Sequence, residues 1–327
     1  MNIYVMLFDA APYCEPFRKL KKESNFDIFG QISNCFTTTS VVSMMTGKMP
    51  SDLEDGGIGY ESELNYKSSG AIVWPWENQL LLCELQNNGW EVEIFTDNEF
   101  FGDVISQKFT ITYGDIHSRE FITNIQKENS SQNKISFVLY NTYHDAIGGK
   151  VSVEEAESNI KSCLEYWDFD QKDSFFWMFA DHGDFTKITE HIDPVGYMTW
   201  AMMKDNTDDP IIAKTDLISI RDFYPTIMNK AKIDIDDPII NSECKSVTSP
   251  LDLKRVYYVE DGRSHIDLQN STSAAALKFD KWQGLDEEYK YSQVTLYRHR
   301  PGVVNRKGFP FNTNMLETLV RTRFNWI

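Results

Sequence analysis

The chain has no hydrophobic run long enough to cross a membrane, and its cysteines are few and scattered. The apolar segment after Met1 ends at Asp9, whereas a spanning helix needs about 20 apolar residues. Five cysteines, an odd number without paired or metal-like spacing, are typical of reduced thiols. We therefore expect a cytoplasmic protein with no membrane span.

Positive charge is also scarce. The chain has 32 Lys and Arg against 49 Asp and Glu, which gives a formal net charge of -17. A surface of this sign repels nucleic acid, so we expect no nucleic acid partner. A phosphate ester would be repelled as well, unless a metal ion and local cations reverse the field at its binding site. The clearest basic cluster contains Arg298 and Arg300, which are candidates for binding an anionic group of a substrate; a solvated loop is the alternative.

Strand-like and helix-like segments alternate over most of the chain, which favours an α/β fold. Helices are predicted over residues 78–88, 153–167 and 221–231, and strands over residues 90–95, 199–204 and 210–214. Beyond about residue 250, short segments alternate in polarity as antiparallel strands do. We predict a mostly parallel central sheet flanked by helices in residues 1–250. A small C-terminal β-rich subdomain, residues 251–327, is expected to pack on the same core.

Two apolar segments end in residues of the kind that bind metals. Residues 174–180 run directly into Asp181, His182 and Gly183, and the first strand ends at Asp9. In open α/β sheets, ligands sit at the carboxyl ends of strands, where a carboxylate and an imidazole can bind one metal ion. The alternative is a strand that ends in a turn, with Asp181 capping the next helix.

A third segment adds a hydroxyl group. Val41, Met44 and Met45 follow helical spacing, and Gly47 is suited to end that helix. Thr37 then lies at or just before the helix N-terminus, where exposed N–H groups and the dipole favour an anion. A hydroxyl beside a metal ion at such a position can ionise and attack phosphorus or sulfur.

In this order, the motifs resemble those of the alkaline phosphatase and sulfatase superfamily. Its members share a strand-end Asp near the N-terminus, a nucleophile that precedes a Thr-Gly-Arg/Lys-x-Pro segment, and a later strand that ends in Asp-His-Gly or Asp-Asn-Gly. The corresponding residues here are Asp9, Thr37, Thr46-Gly47-Lys48-Met49-Pro50 and Asp181-His182-Gly183, and residues 216–228 resemble a further family segment. The resemblance covers roughly residues 1–232. It implies an alkaline phosphatase-like fold, with a metal ion held by Asp9, Thr37, Asp181 and His182.

The nucleophile position departs from the sulfatase pattern. Sulfatases carry Cys or Ser within Cys-x-Pro-x-Arg and oxidise it to formylglycine, whereas this chain has Thr37, with Thr39 and Val41 in place of Pro and Arg. Thr cannot form formylglycine, so a sulfuric ester hydrolase is disfavoured. Thr is the nucleophile in the nucleotide pyrophosphatase/phosphodiesterases and in the phosphoethanolamine and phosphoglycerol transferases of the superfamily. The resemblance therefore implies phosphorus chemistry through a covalent phospho-threonine.

A second departure concerns the number of metal ions. Two-zinc members use a further Asp with a His four residues later, but here Gly149 stands four residues after Asp145. A single metal ion is therefore the simplest account, and the sequence does not decide between one metal ion and two. His144 and Asp145 follow the strand at residues 135–140 and resemble the His-Asp region of sulfatases, which lies over the leaving group. His144 is the better candidate for the general acid, and Asp145 for a substrate contact. The alternative is a surface turn.

Three further residues are candidates for contacting the transferred group. The backbone near Thr38 would lie in the first turn of the helix, where N–H groups can hold phosphoryl oxygens. Lys187 and His191 follow the Asp-His-Gly motif at a distance at which family members often place a basic or metal-binding residue. For both, an ordinary surface position is the alternative.

These observations predict a metal-dependent phosphoester hydrolase or phosphoryl-group transferase that acts on a small-molecule or glycan phosphoester. The ligand set suits zinc or manganese best and leaves calcium and magnesium open. The competing hypothesis is a catalytically silent relative that keeps the fold and binds a glycan or a protein. The sequence does not decide whether water or an alcohol accepts the phosphoryl group, and it does not predict the oligomeric state.

Overall fold

A computed structural model describes residues 1–34, 37–49, 81–98, 109–127, 133–183, 198–252, 254–255, 257–261, 273–281, 291–297 and 322–324. Strands and helices alternate through the first 250 residues. The strands of the first sheet are β1 (Asn2–Phe8), β2 (Asp27–Ile32), β3 (Glu91–Thr96), β4 (Ile111–Tyr113), β5 (Lys134–Tyr140), β6 (Ser174–Phe179), β7 (Met198–Asp205) and β8 (Leu217–Ser219). The helices are α1 (Glu15–Ser24), α2 (Thr37–Thr46), α3 (Leu81–Asn87), α4 (Arg119–Gln126), α5 (Thr142–Ile147), α6 (Val153–Tyr166), α7 (Phe223–Ala231) and α8 (Pro238–Glu243).

The central sheet has eight strands in the order β4-β3-β5-β1-β6-β7-β2-β8. Strand β7 runs antiparallel to its neighbours β6 and β2, and the other neighbouring pairs are parallel. The predicted mostly parallel sheet flanked by helices is therefore confirmed. In the register of the sheet, Phe8 at the end of β1 lies opposite Tyr140 of β5, and Leu7 lies opposite Phe179 of β6. The segments that follow these three strands consequently leave the sheet at the same edge.

The sheet is buried on both faces, as its apolar strands predict. Ile3, Val5 and Leu7 of β1 pack in one cluster with the apolar residues of α2, α3 and α7. Tyr4 and Met6, which alternate with them, pack in a second cluster with α1, α4 and α6. Full burial of a side chain of this size contributes roughly 1.5–3 kcal/mol, so the two clusters fix the position of β1 firmly in the middle of the sheet.

Most of the predicted helices and strands are confirmed, with one exception. Residues 210–214 were expected to form a strand, but they have no regular structure, and the short strand lies at Leu217–Ser219 instead. The N–H groups of this segment are bonded outside the sheet: Ile211 N donates to Asp205 Oδ2 at 2.8 Å, and Lys214 N donates to Val247 O at 2.8 Å. Pro210 has no N–H to donate to a strand partner. The predicted strand was therefore wrong.

The C-terminal part contains a second sheet. Its strands β9 (Tyr257–Asp261), β10 (Ser273–Lys281), β11 (Tyr291–Tyr297) and β12 (Thr322–Phe324) are antiparallel, in the order β12-β11-β10-β9. Antiparallel strands were expected in this part of the sequence. Two residues at its start contact the part of the chain that forms the central sheet and its helices: Arg255 bonds to Asp222, and Tyr257 Oη donates to Leu217 O at 3.5 Å. The proposed division after residue 250 stays a prediction.

Two further sequence features can be compared with the structure. Over the described part of the chain, no helix combines the length and the apolar character that a membrane span requires. Cys14, Cys83, Cys163 and Cys244 are buried and not in disulfides, while Cys35 lies outside the described residues.

Candidate active site

Two neighbouring strands bring three titratable side chains together. Asp9 directly follows β1, while Asp181 and His182 follow β6 after one intervening residue. Because β1 and β6 are parallel neighbours, the three residues meet at the carboxyl edge of the sheet. Ala10 N donates to Asp181 Oδ1 at 3.1 Å, which ties the two strand ends together. Ala10 itself has φ 54, a left-handed conformation that costs a non-glycine residue roughly 1–2 kcal/mol.

Thr37 is the first residue of α2, and its side chain joins this group. Its Oγ1 lies 3.1 Å from His182 Nε2 and 3.5 Å from Asp9 Oδ1. The helix places its N-terminal end, the positive end of its dipole, over the carboxyl edge of the sheet. A hydroxyl group, a helix N-terminus and two carboxylates therefore converge on one buried point.

The three titratable groups are almost fully enclosed, with exposures of 2% for Asp9, 0% for Asp181 and 2% for His182. His182 Nε2 lies 3.3 Å from Asp9 Oδ1 and 3.7 Å from Asp181 Oδ2. His182 Nδ1 donates to Gly183 O at 2.6 Å, so the other ring nitrogen faces the carboxylates. Among the described atoms, Asp181 Oδ2 is buried without a hydrogen-bond partner.

The buried charges shift each other's pKa values. Burial, reinforced by the nearby Asp9 carboxylate, raises the pKa of Asp181 to about 6, although the charge of His182 opposes the shift. Burial alone would lower the pKa of His182, but the carboxylates of Asp181 and Asp9 outweigh it and raise this pKa to about 9. Without a metal ion, His182 therefore carries a proton between two carboxylates at neutral pH.

The group has the composition and spacing of a divalent metal site. One ligand atom from each of Asp9, Asp181 and His182 lies within 4.8 Å of the others, and no other such group of three occurs among the described residues. The unpartnered Asp181 Oδ2 supports this, because a buried carboxylate oxygen without a donor is otherwise costly. Two carboxylates, an imidazole and a hydroxyl match the ligands that zinc or manganese accepts. The residues therefore fit a divalent cation.

Polar residues that the sequence analysis missed hold this site in place. Asn34 Nδ2 donates to Thr39 O at 2.8 Å and to Ser43 Oγ at 2.9 Å, which anchors the first turns of α2. Gln31 Nε2 donates to Ala180 O at 2.8 Å, and Ala180 is the residue just before Asp181. The signal available in the sequence was a polar residue inside or just after an apolar strand.

The two remaining family-like segments meet at the other end of α2. Gly47 O accepts hydrogen bonds from Arg221 Nε at 3.0 Å and from Cys244 Sγ at 3.0 Å. Lys48 Nζ lies 2.7 Å from Asp237 Oδ2. The Thr-Gly-Lys segment and the segment around Arg221 thus fix the C-terminal end of the helix that carries Thr37.

The other predicted site residues are placed as follows. His144 and Asp145 lie in α5, just beyond β5, and both are partly buried. Asp145 Oδ1 accepts from Asn141 Nδ2 at 3.1 Å and from Lys150 Nζ at 2.8 Å. Thr38 lies in the first turn of α2, as predicted. Their predicted roles stay predictions, and Lys187, His191, Arg298 and Arg300 lie outside the described residues.

Comparisons with known proteins identify the fold. No family model and no curated protein matches the sequence. Among solved structures, a protein of the alkaline phosphatase superfamily from Vibrio parahaemolyticus matches with a TM-score of 0.58 and 15% identity, over 96% of this chain and 83% of that chain. Ps i-CgsB in complex with k-i-k-neocarrahexaose matches with a TM-score of 0.55 and 12% identity, over 91% and 86%. BT1596, a 2-O GAG sulfatase, matches with a TM-score of 0.54 and 12% identity, over 91% and 83%. The chain therefore has the alkaline phosphatase-like α/β fold that its motifs predict.

Proposed function

We propose that this protein is a metal-dependent phosphoester hydrolase or phosphoryl-group transferase in which Thr37 is the nucleophile. The observation that carries the proposal is the position of Thr37 Oγ1, 3.1 Å from His182 Nε2 and 3.5 Å from Asp9 Oδ1, at a helix N-terminus. A threonine hydroxyl is a weak nucleophile at its ordinary pKa, so it needs an activating group of this kind beside it.

Asp9, Asp181 and His182 would hold one divalent cation, with the Thr37 hydroxyl as a fourth ligand. Such an ion lowers the pKa of a neighbouring hydroxyl and neutralises charge on phosphoryl oxygens. His182 contributes through Nε2, because Nδ1 already donates to Gly183 O. Zinc and manganese suit this donor set best.

The residues of the chain supply the remaining chemistry. The Oγ of Thr37 loses its proton to solvent and forms a bond to phosphorus while the bond from phosphorus to the leaving oxygen breaks, which gives a phospho-threonine. Backbone N–H groups in the first turn of α2, near Thr38, hold the phosphoryl oxygens. His144 is proposed to give its proton to the leaving oxygen. Water, or an acceptor alcohol, then attacks phosphorus and releases Thr37.

The identity of residue 37 favours phosphorus over sulfur. Thr37 cannot become formylglycine, which the sulfatase route requires, so the likeness in fold to BT1596 does not extend to its chemistry. One similar structure is a complex with a neocarrahexaose and another is a GAG sulfatase, which supports a glycan phosphoester beside a small-molecule phosphoester as the substrate. If an alcohol accepts the phosphoryl group the protein is a transferase, and if water accepts it the protein is a hydrolase.

The test is hydrolysis of p-nitrophenyl phosphate, bis-p-nitrophenyl phosphate and p-nitrophenyl sulfate with zinc, manganese, calcium or magnesium. We expect metal-dependent turnover of a phosphate ester that falls by about 1,000-fold or more in Thr37→Val. Thr112→Val, which makes the same change at an exposed threonine of β4, is the matched control and should keep the activity. Mass spectrometry of acid-quenched protein should find the phosphoryl group on Thr37.

Two results would contradict the proposal. Turnover of the sulfate alone would show that Thr37 does not direct the chemistry to phosphorus. No turnover, together with no metal binding, would favour the catalytically silent relative that binds a glycan or a protein.

A further inference from the structure

A second polar cleft opens at the carboxyl edge of the sheet, beside the candidate active site. It has a volume of about 540 Å³ and is lined by Asp97, His117, Asn141, Thr142, Asp145 and Lys150, among others. Asp97 follows β3 and Asn141 follows β5, two neighbouring parallel strands. Crevices at such strand ends are the usual binding positions in α/β sheets. The size of the cleft falls within the range of ligand pockets, roughly 300–1,000 Å³.

The end of β5 borders both the cleft and the candidate active site. Asp9 N donates to Tyr140 O at 2.9 Å, and the next residue, Asn141, lines the cleft. The ring of His117 lies 5.3 Å from that of Tyr140, a residue of the core cluster that packs against α1, α4 and α6. Thr37 and α2 belong to the other face of the sheet. A ligand in the cleft would therefore lie next to the metal-binding group without occupying it.

One carboxylate of the cleft is already paired with a cation, and the other lies near an imidazole. Asp145 Oδ1 lies 2.8 Å from Lys150 Nζ, and Asp97 Oδ2 lies 3.6 Å from His117 Nε2. The two carboxylates disfavour an anionic ligand. The side chain of Asp97 is 36% exposed, so water weakens its attraction for an added cation. These features favour an uncharged ligand.

Several polar atoms of the residues that line the cleft have no hydrogen-bond partner among the described atoms. Among the described atoms, His117 Nδ1 is buried without a partner. Asp97 Oδ1 and Asp145 Oδ2 also receive no hydrogen bond from the described part of the chain, because the contacts of these side chains use the other oxygen. Amide and ammonium donors from Asn141 and Lys150 stand beside these acceptors.

We propose that this cleft binds a neutral, hydroxyl-rich ligand, namely one or two rings of a saccharide. A hydroxyl group both donates and accepts, so a row of hydroxyls can bond to carboxylate oxygens and to amide donors in the same cleft. Apolar ligands fit poorly, because Val151 is the one aliphatic side chain among the described lining residues. The proposal deepens the proposed function, on which its link to catalysis rests: the saccharide would be the part of a glycan phosphoester that lies next to the reacting group.

The test measures saccharide binding directly, without relying on catalysis. The full chain is titrated with D-glucose, D-galactose, D-mannose, N-acetyl-D-glucosamine and maltose, with binding followed by saturation-transfer NMR. Inorganic phosphate and ethanolamine serve as charged probes. We expect at least one saccharide to bind, and roughly tenfold weaker binding in Asp97→Ala, which loses a charged hydrogen-bond acceptor.

Two matched variants on α6 guard against a folding defect in Asp97→Ala. Asn159 lines the cleft and is exposed, so Asn159→Ala should also weaken saccharide binding. Ser158 is the exposed neighbour that is absent from the lining, so Ser158→Ala should bind like the wild type. Thr37→Val should retain saccharide binding while it loses turnover. Saccharide binding and turnover are thus tested separately, so the cleft proposal can fail without the proposed chemistry, and the reverse.

Three outcomes would overturn the proposal. The first is no binding of any saccharide in the panel. The second is tighter binding of phosphate or ethanolamine than of every saccharide. The third is saccharide binding that Asp97→Ala and Asn159→Ala leave unchanged.

Discussion

His182 links protonation to metal binding in this protein. Its Nε2 atom lies 3.3 Å from one Asp9 oxygen and 3.7 Å from one Asp181 oxygen, in a site closed to solvent. A proton or a divalent cation can balance the two carboxylates there, but both need the same nitrogen. The metal-free and metal-bound proteins should therefore respond to pH in opposite ways.

The metal-free protein is expected to lose stability as the pH rises. The pKa of His182 is raised from 6.5 to about 9 in the folded state, so the folded protein binds more protons than the unfolded chain between these values. The stabilisation is complete below about pH 6.5 and disappears as the pH passes about 9. The raised pKa of Asp181 has the same effect at lower pH: it makes stability fall as the pH rises from 3.8 to about 6. Urea unfolding in EDTA should show a fall in the free energy of unfolding from pH 6.5 to pH 9.

The matched variant for this prediction is His182→Asn, in which the fall above pH 6.5 should be much smaller. Metal affinity should change in the other direction, because the cation must displace the proton from His182. Calorimetric titration with zinc should give tighter binding at pH 8 than at pH 6, with release of a proton. Equal pH slopes in the wild type and His182→Asn would show that other groups cause the loss of stability.

At the scale of elements, α2 is the helix on which the candidate site depends most. Asn34 holds its first turns through Thr39 O and Ser43 Oγ, and Arg221 donates to Gly47 O, directly after its last residue. Four apolar side chains of the helix are buried in the core: Val41, Val42, Met44 and Met45. Thr37 is thus placed by contacts at both ends of the helix and along one of its faces.

The glycine that ends α2 allows a direct test of this anchoring. Gly47 has φ +67, and a Cβ atom added there would meet the Ile240 side chain at 3.1 Å. Gly89 has φ +83, but an added Cβ would have nothing within 4 Å. Both substitutions to Ala carry the left-handed backbone cost of roughly 1–2 kcal/mol, and Gly47→Ala carries a packing cost of roughly 1–3 kcal/mol as well.

Gly47→Ala should therefore lower the free energy of unfolding by more than Gly89→Ala, as measured by urea denaturation. The shift at the end of α2 should also weaken zinc binding in Gly47→Ala, whereas Gly89→Ala, on the loop after α3, should leave it unchanged. If the two variants lose the same stability, the Ile240 contact is not what restrains Gly47.

The parts of the site that the sequence predicted are those with a strong local pattern. A helix with Thr37 at or just before its start and Gly47 as its C-cap was predicted from the spacing of Val41, Met44 and Met45, and the structure has this helix at Thr37–Thr46. The meeting of Asp9 with Asp181 followed from two apolar strands, each ending in a carboxylate. Gln31 and Asn34 were not predicted, because their partners are backbone carbonyls and a serine that only the folded chain brings near. The strand predicted at residues 210–214 was wrong for a similar reason, because in the folded chain the N–H of Ile211 donates to the Asp205 side chain.

On the scale of the whole molecule, one buried ion pair joins the two parts of the chain. Asp222 is fully buried and accepts two hydrogen bonds from the Arg255 guanidinium, both at 2.6 Å. The N–H groups of Ser219 and Lys245 donate to the same carboxylate, each at 2.8 Å. The Arg255 guanidinium also lies 4.8 Å from the ring centre of Tyr257. Burial alone would lower the pKa of Arg255, but the Asp222 carboxylate outweighs it and raises that pKa.

This ion pair affects where the chain can be divided to give a stable N-terminal fragment. A fragment that ends at residue 250 keeps Asp222 but loses Arg255, and the carboxylate would then be buried without its counter-charge. Removing one partner of a buried pair costs roughly 3–5 kcal/mol. A fragment of residues 1–261 keeps the pair and lacks the same later strands, so it is the matched comparison.

The fragment of residues 1–250 should therefore unfold at a lower urea concentration than the fragment of residues 1–261. Its free energy of unfolding should be lower by roughly 3–5 kcal/mol. In the full chain, Arg255→Met should cost a similar amount. Asp222→Asn combined with Arg255→Met should cost less than the single Arg255→Met change, because no charge is then left buried. Equal stability of the two fragments would place the boundary at residue 250 and would make the Asp222–Arg255 pair a contact of little energetic weight. A lower stability of the shorter fragment would place the structural boundary beyond Arg255, with the first residues of the C-terminal part belonging to the core that carries the candidate site.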